Sequence, residues 1–432
     1  MNNSYRTNYI SDIDNTLIGK KIKISGWVHE VRDIGHIIFL LIRDNTGIIQ
    51  VTAKKGVTDD EVMKSLLLPK ESVVSLTGTV VENKQAKMGI ELLPTDIKNL
   101  NPITSTIPFE VTGKVPADLD VRLNFRYIDL RRAQSTSIFK IESTVLKTFR
   151  KTLEKEGFLE IRTPSIVKEA TEGGTELFKL QYFESDAYLA QSPQLYKQLT
   201  VIGGFDRVFM VAPVFRAEKH NTLFHLNEIT QMDVEMGFSD HNDAIKILKK
   251  SVLKIIEAVK KENTKELEIL NVELAAGKIK EITYKKAIEE LSKNGSKISY
   301  GDDFSKEDEI NLSKIFGDLL VVKEYPTNIR AFYSMPNQKD PTLSNSFDFI
   351  YKGLELSSGA QRIHIPELLE EALVKRGNNP RAFDFYINAF RNGAPPHAGW
   401  SIGLERFVMK LTNSQNIREC VLFPRDRTRL IP

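Results

Sequence analysis

The stretch Gly399-Trp400-Ser401-Ile402-Gly403-Leu404-Glu405-Arg406-Phe407 constrains this chain more than any other. It reads as a small-residue strand running directly into an amphipathic helix over residues 404–411. Glycines at 399 and 403 leave room for a flat ligand to approach the backbone. Arg406 falls in the first turn of the helix, where a planar guanidinium can cover an aromatic ring and reach phosphate oxygens. Taken alone, a Gly-x-x-x-Gly strand followed by arginine is more often a packing device.

Two further stretches change that balance. Val214-Phe215-Arg216-Ala217-Glu218 leads into a polar loop, then His225-Leu226-Asn227-Glu228, then Ile229-Thr230-Gln231-Met232-Asp233-Val234-Glu235-Met236. Two strands flanking a charged loop would bring Arg216, Glu218, His225 and Asp233 to one surface. Upstream stands Gly157-Phe158-Leu159-Glu160-Ile161-Arg162-Thr163-Pro164. In this order the three stretches resemble motifs 1, 2 and 3 of the class II aminoacyl-tRNA synthetases, and within them the aspartyl-tRNA synthetases of the archaeal and eukaryotic type. The resemblance covers essentially the whole chain. It implies an α+β protein: an N-terminal five-stranded OB-fold β-barrel, then a class II catalytic domain built on an antiparallel sheet flanked by helices.

The totals agree with an enzyme of mixed surface. The chain has 432 residues, 60 of them basic and 57 acidic, for a net charge of +3. That excludes a polybasic, sequence-indifferent nucleic-acid binder and allows a local basic face. A single cysteine, Cys420, rules out an intrachain disulfide and points to a reducing compartment. It is expected to be a buried small hydrophobe. The polar N-terminus predicts no signal peptide, and the apolar runs are far short of the ~20 residues a bilayer span needs. A cytoplasmic protein with no membrane association is expected.

Residues 20–100 alternate as short strands: 21–28, 36–43, 48–52, 72–80 and 89–93, with a helix-like segment at 59–68. Five strands with a helix after the third is the OB-fold pattern, which binds oligonucleotides on its strand 2–3 face. The resemblance makes residues 1–103 the anticodon-binding domain, with His29, Arg32, Phe39, Gln50 and Glu91 at its anticodon-reading positions. Phe39 would supply a stacking face worth roughly 1–3 kcal/mol per base. Gln50 and Glu91 would reach base edges. For Phe39, alternation with apolar neighbours fits core packing equally well. Residues 104–135 form a linker broken by Pro108, Gly113 and Pro116. Its arginines 122, 126, 131 and 132 are either solvated surface or a contact with tRNA backbone.

Residues 136–432 are then the catalytic domain. Apolar residues at 138, 141, 145, 146, 149 and 153 predict a helix, stopped by Gly157. Pro164, ending motif 1, marks the interface of a homodimer in the family. The segment 169–176, with Glu172, resembles a mobile loop that closes over the amino acid. Lys197 lies among apolar residues, where burial would need an anionic partner. A helix over 244–261 follows, and the rest of 240–345 offers no chemistry of its own.

Asp348 and Glu355 lie in two apolar strands across the Lys352-Gly353 turn, and hard carboxylates suit Mg²⁺ with phosphate co-ligands. By the resemblance, Lys197 and Arg362 grip the substrate's side-chain carboxylate. Ser192, Gln194 and Ser358 belong to the same aspartate site, with Asp233 and Glu172 on the substrate ammonium. Arg216 would bind the ATP α-phosphate, His225 and Arg406 the γ-phosphate, and Glu218 the adenine, with Mg²⁺ on Asp348 and Glu355. No side-chain nucleophile is needed. Positioning and charge neutralisation at phosphorus would carry the reaction. Ile229 stands where many relatives carry an aromatic that stacks on adenine.

The implied activity is ATP-dependent attachment of L-aspartate to tRNA(Asp), and also to tRNA(Asn). Where tRNA(Asp)-specific relatives tend to carry tryptophan, this chain has His29, as permissive relatives do. Lys84, where permissive relatives usually have proline, points the other way. His29 weighs more because it would lie on the binding face. Two other readings are an asparaginyl-tRNA synthetase, against which Lys197 argues, and a non-catalytic RNA-binding descendant, against which the retained Arg216, Glu218, Asp348, Glu355 and Arg406 argue.

Overall fold

Strands Lys21–Asp33, Ile37–Arg43, Ile48–Lys54, Val73–Glu82 and Ile90–Asn101 close into a barrel in the order first, second, third, fifth, fourth. Closure depends on the length of the first strand, which outruns the predicted segment. Its first half pairs with Val73–Glu82 and its second half with Ile37–Arg43. Gly26 lies where it changes partner, and a Cβ there would overlap the Arg43 carbonyl. Inward residues such as Val28, Leu40, Ile42, Val51, Leu76 and Leu92 fill the interior. The helix Asp60–Ser65 is N-capped by Asp59, which accepts from the amides of Glu61 and Val62. The computed structural model describes residues 3–168, 176–219, 221–274 and 277–432. By its internal contacts the chain divides into two compact units, Met1–Arg122 and Leu123–Pro432.

The second unit is organised on an eight-stranded sheet. In spatial order its strands are Lys280–Thr283, Leu319–Lys323, Ser346–Tyr351, Leu354–Gln361, His397–Gly403, Glu228–Gly237, Arg207–Phe215 and Leu159–Glu160. Pairing is antiparallel except at the two ends, where the terminal strands run parallel to their neighbours. The strands Lys280–Thr283 and Leu319–Lys323 extend the sheet within the 240–345 stretch, where only the 244–261 helix is expected from the sequence. A separate three-stranded sheet, Ile166–Val167, Ser185–Leu189 and Lys179–Tyr182, was likewise not anticipated.

The two central strands divide their side chains by the two-residue period of a pleated strand. Met232, Val234 and Met236, with Ala398, Trp400 and Ile402, join the core formed with the helices Ala133–Lys155 and His241–Glu262. The second helix is held at its start by a capping box between Asp240 and Asp243. Trp400 is fully buried and meets Phe149 edge-on at 6.1 Å. Cys420 is buried in the same core, and burial pushes its thiol up to about 12. On the opposite face of these strands stand Gln231, Asp233, Glu235, Gly399, Ser401 and Gly403. Among the described residues, no helix is long and apolar enough to cross a membrane.

The two motif 3 glycines differ in what requires them. Gly403 has open space where a Cβ would stand, consistent with ligand access. Gly399 has none: a Cβ would run into the Val234 carbonyl and the Glu235 carboxylate. The expectation of ligand room therefore holds at 403, whereas 399 is a close-packing position between strands. Gly399→Ala should lower the unfolding free energy by about 1–3 kcal/mol, the usual cost of overpacking. Urea denaturation checks this, and an unchanged midpoint would mean that the sheet absorbs the methyl group.

Candidate active site

The polar face of the sheet forms the wall of a cavity of about 360 Å³. Ser192, Gln194, Lys197, Arg216, Glu218, His225, Asp233, Glu355, Ser358, Arg362 and Arg406 all line it. Residues spread over more than 200 positions of sequence are thus brought to one concavity. Asp348 stands behind this wall rather than in it. Glu172 lies outside the described residues. Pro164 is exposed, four residues after the short Leu159–Glu160 edge strand.

At the floor, Lys197 comes from the helix Gln194–Thr200 and Arg362 follows the strand Leu354–Gln361. Both are almost fully buried. Lys197 Nζ reaches Asp233 Oδ1 at 2.7 Å and Glu235 Oε2 at 3.4 Å. Arg362 forks onto Glu235, with Nε at 2.9 Å and Nη2 at 3.1 Å. Burial pulls the Glu235 carboxyl upward, but Arg362 and Lys197 outweigh it and hold the group below the usual carboxylate range. Lys197 thus has the anionic partner that its burial demanded. Glu235 went unassigned in the sequence, although Gln231, Asp233 and Glu235 recur every second residue through an otherwise apolar strand. Gln231 also lines the cavity, and its buried Oε1 has no hydrogen-bond partner among the described residues.

A hydrogen-bonded chain supports this floor from below. Gln194 Nε2 donates to Gln198 Oε1, which also accepts from the Tyr386 hydroxyl. Gln198 Nε2 donates to His397 Nε2, and His397 Nδ1 donates to the Pro395 carbonyl. Those partners suit a neutral ring, and burial lowers the His397 pKa to about 4.

On the next wall, Asp348 and Ser358 are directly paired across the hairpin. Arg330, which the sequence did not single out, takes both Asp348 oxygens at 2.7 Å and donates to Ser358 Oγ at 2.6 Å. Glu355 is left as the carboxylate facing the cavity. Burial and the neighbouring Asp348 push its pKa above the usual carboxylate range. Asp348 is thus already neutralised by Arg330, so at this wall Glu355 is the carboxylate that could meet a divalent cation directly, with Asp348 behind it. Among the described residues no group of three His, Cys, Asp or Glu could hold one, so the remaining ligands would have to come from phosphate and water.

The upper wall is the loop between Arg207–Phe215 and Glu228–Gly237. Asn227 closes its base, donating from Nδ2 to the carbonyls of Arg216 at 2.6 Å and Glu218 at 3.1 Å. Arg216 Nη1 stands 3.9 Å from Glu218. Ile229 lines the cavity with an aliphatic side chain, and Phe224 lines it with an aromatic one. Arg406 lines the same cavity from the first turn of Leu404–Thr412.

In the barrel, Phe39 is half-buried and absent from the interior core that takes its neighbours Ile38 and Leu40. It is an outward position, paired across the sheet with Arg32 and Thr52. Glu91 is buried and accepts from Gln50 Nε2 (2.8 Å), Thr52 Oγ1 (2.5 Å) and Asn83 Nδ2 (2.8 Å). A two-residue step along an unbroken strand would put His29 on the same face as Trp27. A bulge between Val28 and Glu30 makes His29 the extra, unpaired residue, and the two-residue period does not carry across a bulge. Its Nδ1 accepts from Arg43, which is itself paired with Glu71. In the 122–132 cluster, Arg126 is buried and donates to Asp129 and to the carbonyls of Glu419, Val421 and Leu422. It ties the C-terminal segment to the unit and is not available to phosphate.

Comparison with known proteins sets this geometry in context. Residues 118–427 match the family model described as tRNA synthetases class II (D, K and N), and residues 22–100 match an OB-fold nucleic acid binding domain. The aspartate–tRNA(Asp/Asn) ligase of Methanocaldococcus jannaschii is 47% identical over 99% of this chain and 98% of its own length. The aspartate–tRNA(Asp) ligase of Thermococcus kodakarensis is 46% identical over 99% of this chain and 100% of its own. A crystal structure of asparaginyl-tRNA synthetase from Pyrococcus horikoshii complexed with asparaginyl-adenylate matches with a TM-score of 0.93 at 31% identity, covering 98% of this chain and 99% of that one.

The charged floor makes one quantitative demand. Glu235→Gln removes one of two anions facing two buried cations. It should lower the unfolding free energy at pH 7 by about 3 kcal/mol, since breaking a buried pair strands its partner. The parent's carboxylate is stabilised by folding, so its contribution is complete above the unfolded carboxyl range and is lost as pH falls through the lowered folded value. The gap between parent and variant should therefore narrow in acid. Denaturation at pH 7 and pH 4 tests both statements, and a gap that widens in acid would contradict the assigned charges.

Proposed function

The chain belongs to the class II tRNA synthetases of the D, K and N group, and we propose that it is an aspartate–tRNA ligase that charges tRNA(Asp) and tRNA(Asn). The observation that carries the amino-acid choice is the pair of buried cations, Lys197 and Arg362, beneath one cavity. A substrate carboxylate would bring the charge they favour, whereas a neutral carboxamide calls for no second cation. The names of both curated relatives agree on aspartate, and the first of them also includes tRNA(Asn) whereas the second is named for tRNA(Asp) alone. The asparaginyl-tRNA synthetase alternative rests on a shared fold and fits the charged floor less well.

Aspartate would seat its side-chain carboxylate against Lys197 and the free edge of Arg362. Its ammonium would lie toward Asp233, Gln231, Ser192, Gln194 and, from the loop, Glu172. Its α-carboxylate would then face the ATP α-phosphate beside Arg216. A carboxylate oxygen forms the new bond to phosphorus as the bond to the bridging oxygen breaks, and pyrophosphate leaves. Arg216 neutralises charge that grows at phosphorus. Arg406 and His225 hold the terminal phosphate, and Glu218 meets the adenine, with Phe224 offering an aromatic face. Glu355, backed by Asp348 and near Ser358, would hold the Mg²⁺ of MgATP, which supplies charge neutralisation on the phosphates. In the second step a hydroxyl of the terminal tRNA adenosine takes the aspartyl group and AMP departs.

The barrel would read the anticodon with Phe39, Arg32, Gln50, Glu91 and His29. With Arg43 donating to its Nδ1, a neutral His29 keeps its proton on Nε2, a donor that suits the O2 of either pyrimidine. Two copies would pair along the edge carrying Leu159 and Pro164. A cytoplasmic enzyme fits the tRNA substrates and the single cysteine.

Arg362→Ala should reduce aspartate-dependent exchange of pyrophosphate into ATP by at least about a hundredfold, roughly 3 kcal/mol. Arg362→Lys should also be poor because the fork is lost. Parental exchange in Arg362→Ala, or exchange driven by asparagine in the parent, would sink the aspartate reading. For tRNA, the parent should charge both purified tRNA(Asp) and tRNA(Asn) with aspartate, and His29→Trp should depress the second more than the first. A parent that leaves tRNA(Asn) uncharged is a strict aspartate–tRNA(Asp) enzyme, and the weight given to His29 is then misplaced.

A further inference from the structure

The segment after the last helix, residues 416–427, turns back along the cavity's upper wall. It grips the loop between Arg207–Phe215 and Glu228–Gly237 at five points. Ile417 N donates to the Leu223 carbonyl and Asn227 N to the Arg425 carbonyl, each at 2.9 Å. Arg427 Nη1 donates to the Lys219 carbonyl at 3.2 Å. The other two bonds come from Arg418: Nη1 to the Thr222 carbonyl at 3.1 Å and Nη2 to Asn221 Oδ1 at 2.6 Å. Arg418 is buried, and Asp426 fixes its remaining face through Nε at 2.6 Å. Thr222 in turn bonds His225, its Oγ1 lying 2.5 Å from Nδ1. A connected path therefore runs from Asp426 through Arg418 and Thr222 to His225, which lines the cavity. Loop backbone that is not in a ladder is ordinarily mobile. Here a guanidinium with both ends fixed holds it.

We propose that Arg418 is a positioning residue for ATP: it holds the 221–225 loop so that His225 is already aimed at the terminal phosphate before the nucleotide arrives. The inference rests on the reading of His225 as a phosphate-binding residue. A preset loop spares the nucleotide the cost of ordering it, so Arg418 should appear in ATP binding and not in aspartate binding. Lysine can keep the charge opposite Asp426, yet its donors all sit on one nitrogen and lack the planar fork that reaches Thr222 and Asn221 together.

The test measures Michaelis constants for ATP and aspartate in pyrophosphate exchange, with melting temperatures alongside, for Arg418→Ala, Arg418→Lys, His225→Ala and the Arg418→Ala/His225→Ala double variant. The expected result is an ATP KM raised about tenfold in both Arg418 variants, the loss of roughly one hydrogen-bond network. The aspartate KM should stay within about twofold, and Arg418→Lys should melt closer to the parent than Arg418→Ala does. If Arg418 works through His225, the double variant should be no worse for ATP than His225→Ala, a non-additivity that marks coupled residues. An unchanged ATP KM in His225→Ala overturns the phosphate assignment itself. A raised ATP KM in His225→Ala with parental values in both Arg418 variants overturns this inference alone. So does a purely structural pattern, in which melting temperature and active fraction fall while both Michaelis constants hold.

Discussion

Taking Lys197 and Arg362 out of water costs several kcal/mol per ion, and such pairs seldom repay that cost in stability alone. Asp233 and Glu235 offset it, and the rest of the sheet is built so that they can. Glu235 occupies the space that a side chain at 399 would need, so the motif 3 strand must carry glycine there. Its neighbours Ala398 and Trp400 then turn to the helices. Arg362 is set by its own backbone, whose amide donates to the His397 carbonyl at 2.8 Å. A balanced but expensive charge site open to a cavity is better explained by a charged ligand than by folding.

Much of this was legible in the sequence, and the parts that were not share a cause. The barrel, the motif 2 hairpin and the strand-to-helix step at Gly403 follow from period and turn chemistry. Those are local properties, and local properties are what a sequence displays. Glu235, Arg330 and Arg418 were missed because their meaning is non-local. Each gains its role from a partner 18 to 197 residues away: Arg362, Asp348 and the 221–225 loop. The strands at 280–283 and 319–323 escaped notice because they are short and flanked by strongly helical segments. Arg126 misled in the opposite sense. An arginine in a basic run suggests a surface, yet a planar fork is also well suited to collecting carbonyls at the end of a chain.

The barrel illustrates how far alternation can be trusted. Alternation alone leaves Phe39 undecided, because residues 37–42 are all apolar, and it is the folded strand that turns Phe39 outward while Ile38 and Leu40 enter the core. Alternation fails at His29, because a bulge adds a residue to one strand and leaves no trace in composition. Glu91 carries a further lesson. A carboxylate that already accepts from Gln50, Thr52 and Asn83 is a rigid acceptor array. A base edge meeting it would encounter Gln50 and Asn83 in orientations already chosen for it.

Cys420 has a practical consequence. It is the chain's only thiol, and burial both shields it and raises its pKa, which disfavours the thiolate that maleimides and disulfides need. Natural sequences usually must be stripped of cysteines before a dye can be attached at a chosen point. Here a cysteine introduced on the surface of either unit would be the sole reactive handle, with no substitution in the core. The wild-type background is thus ready for fluorescence and spin-label spectroscopy on the motif 2 loop or the barrel.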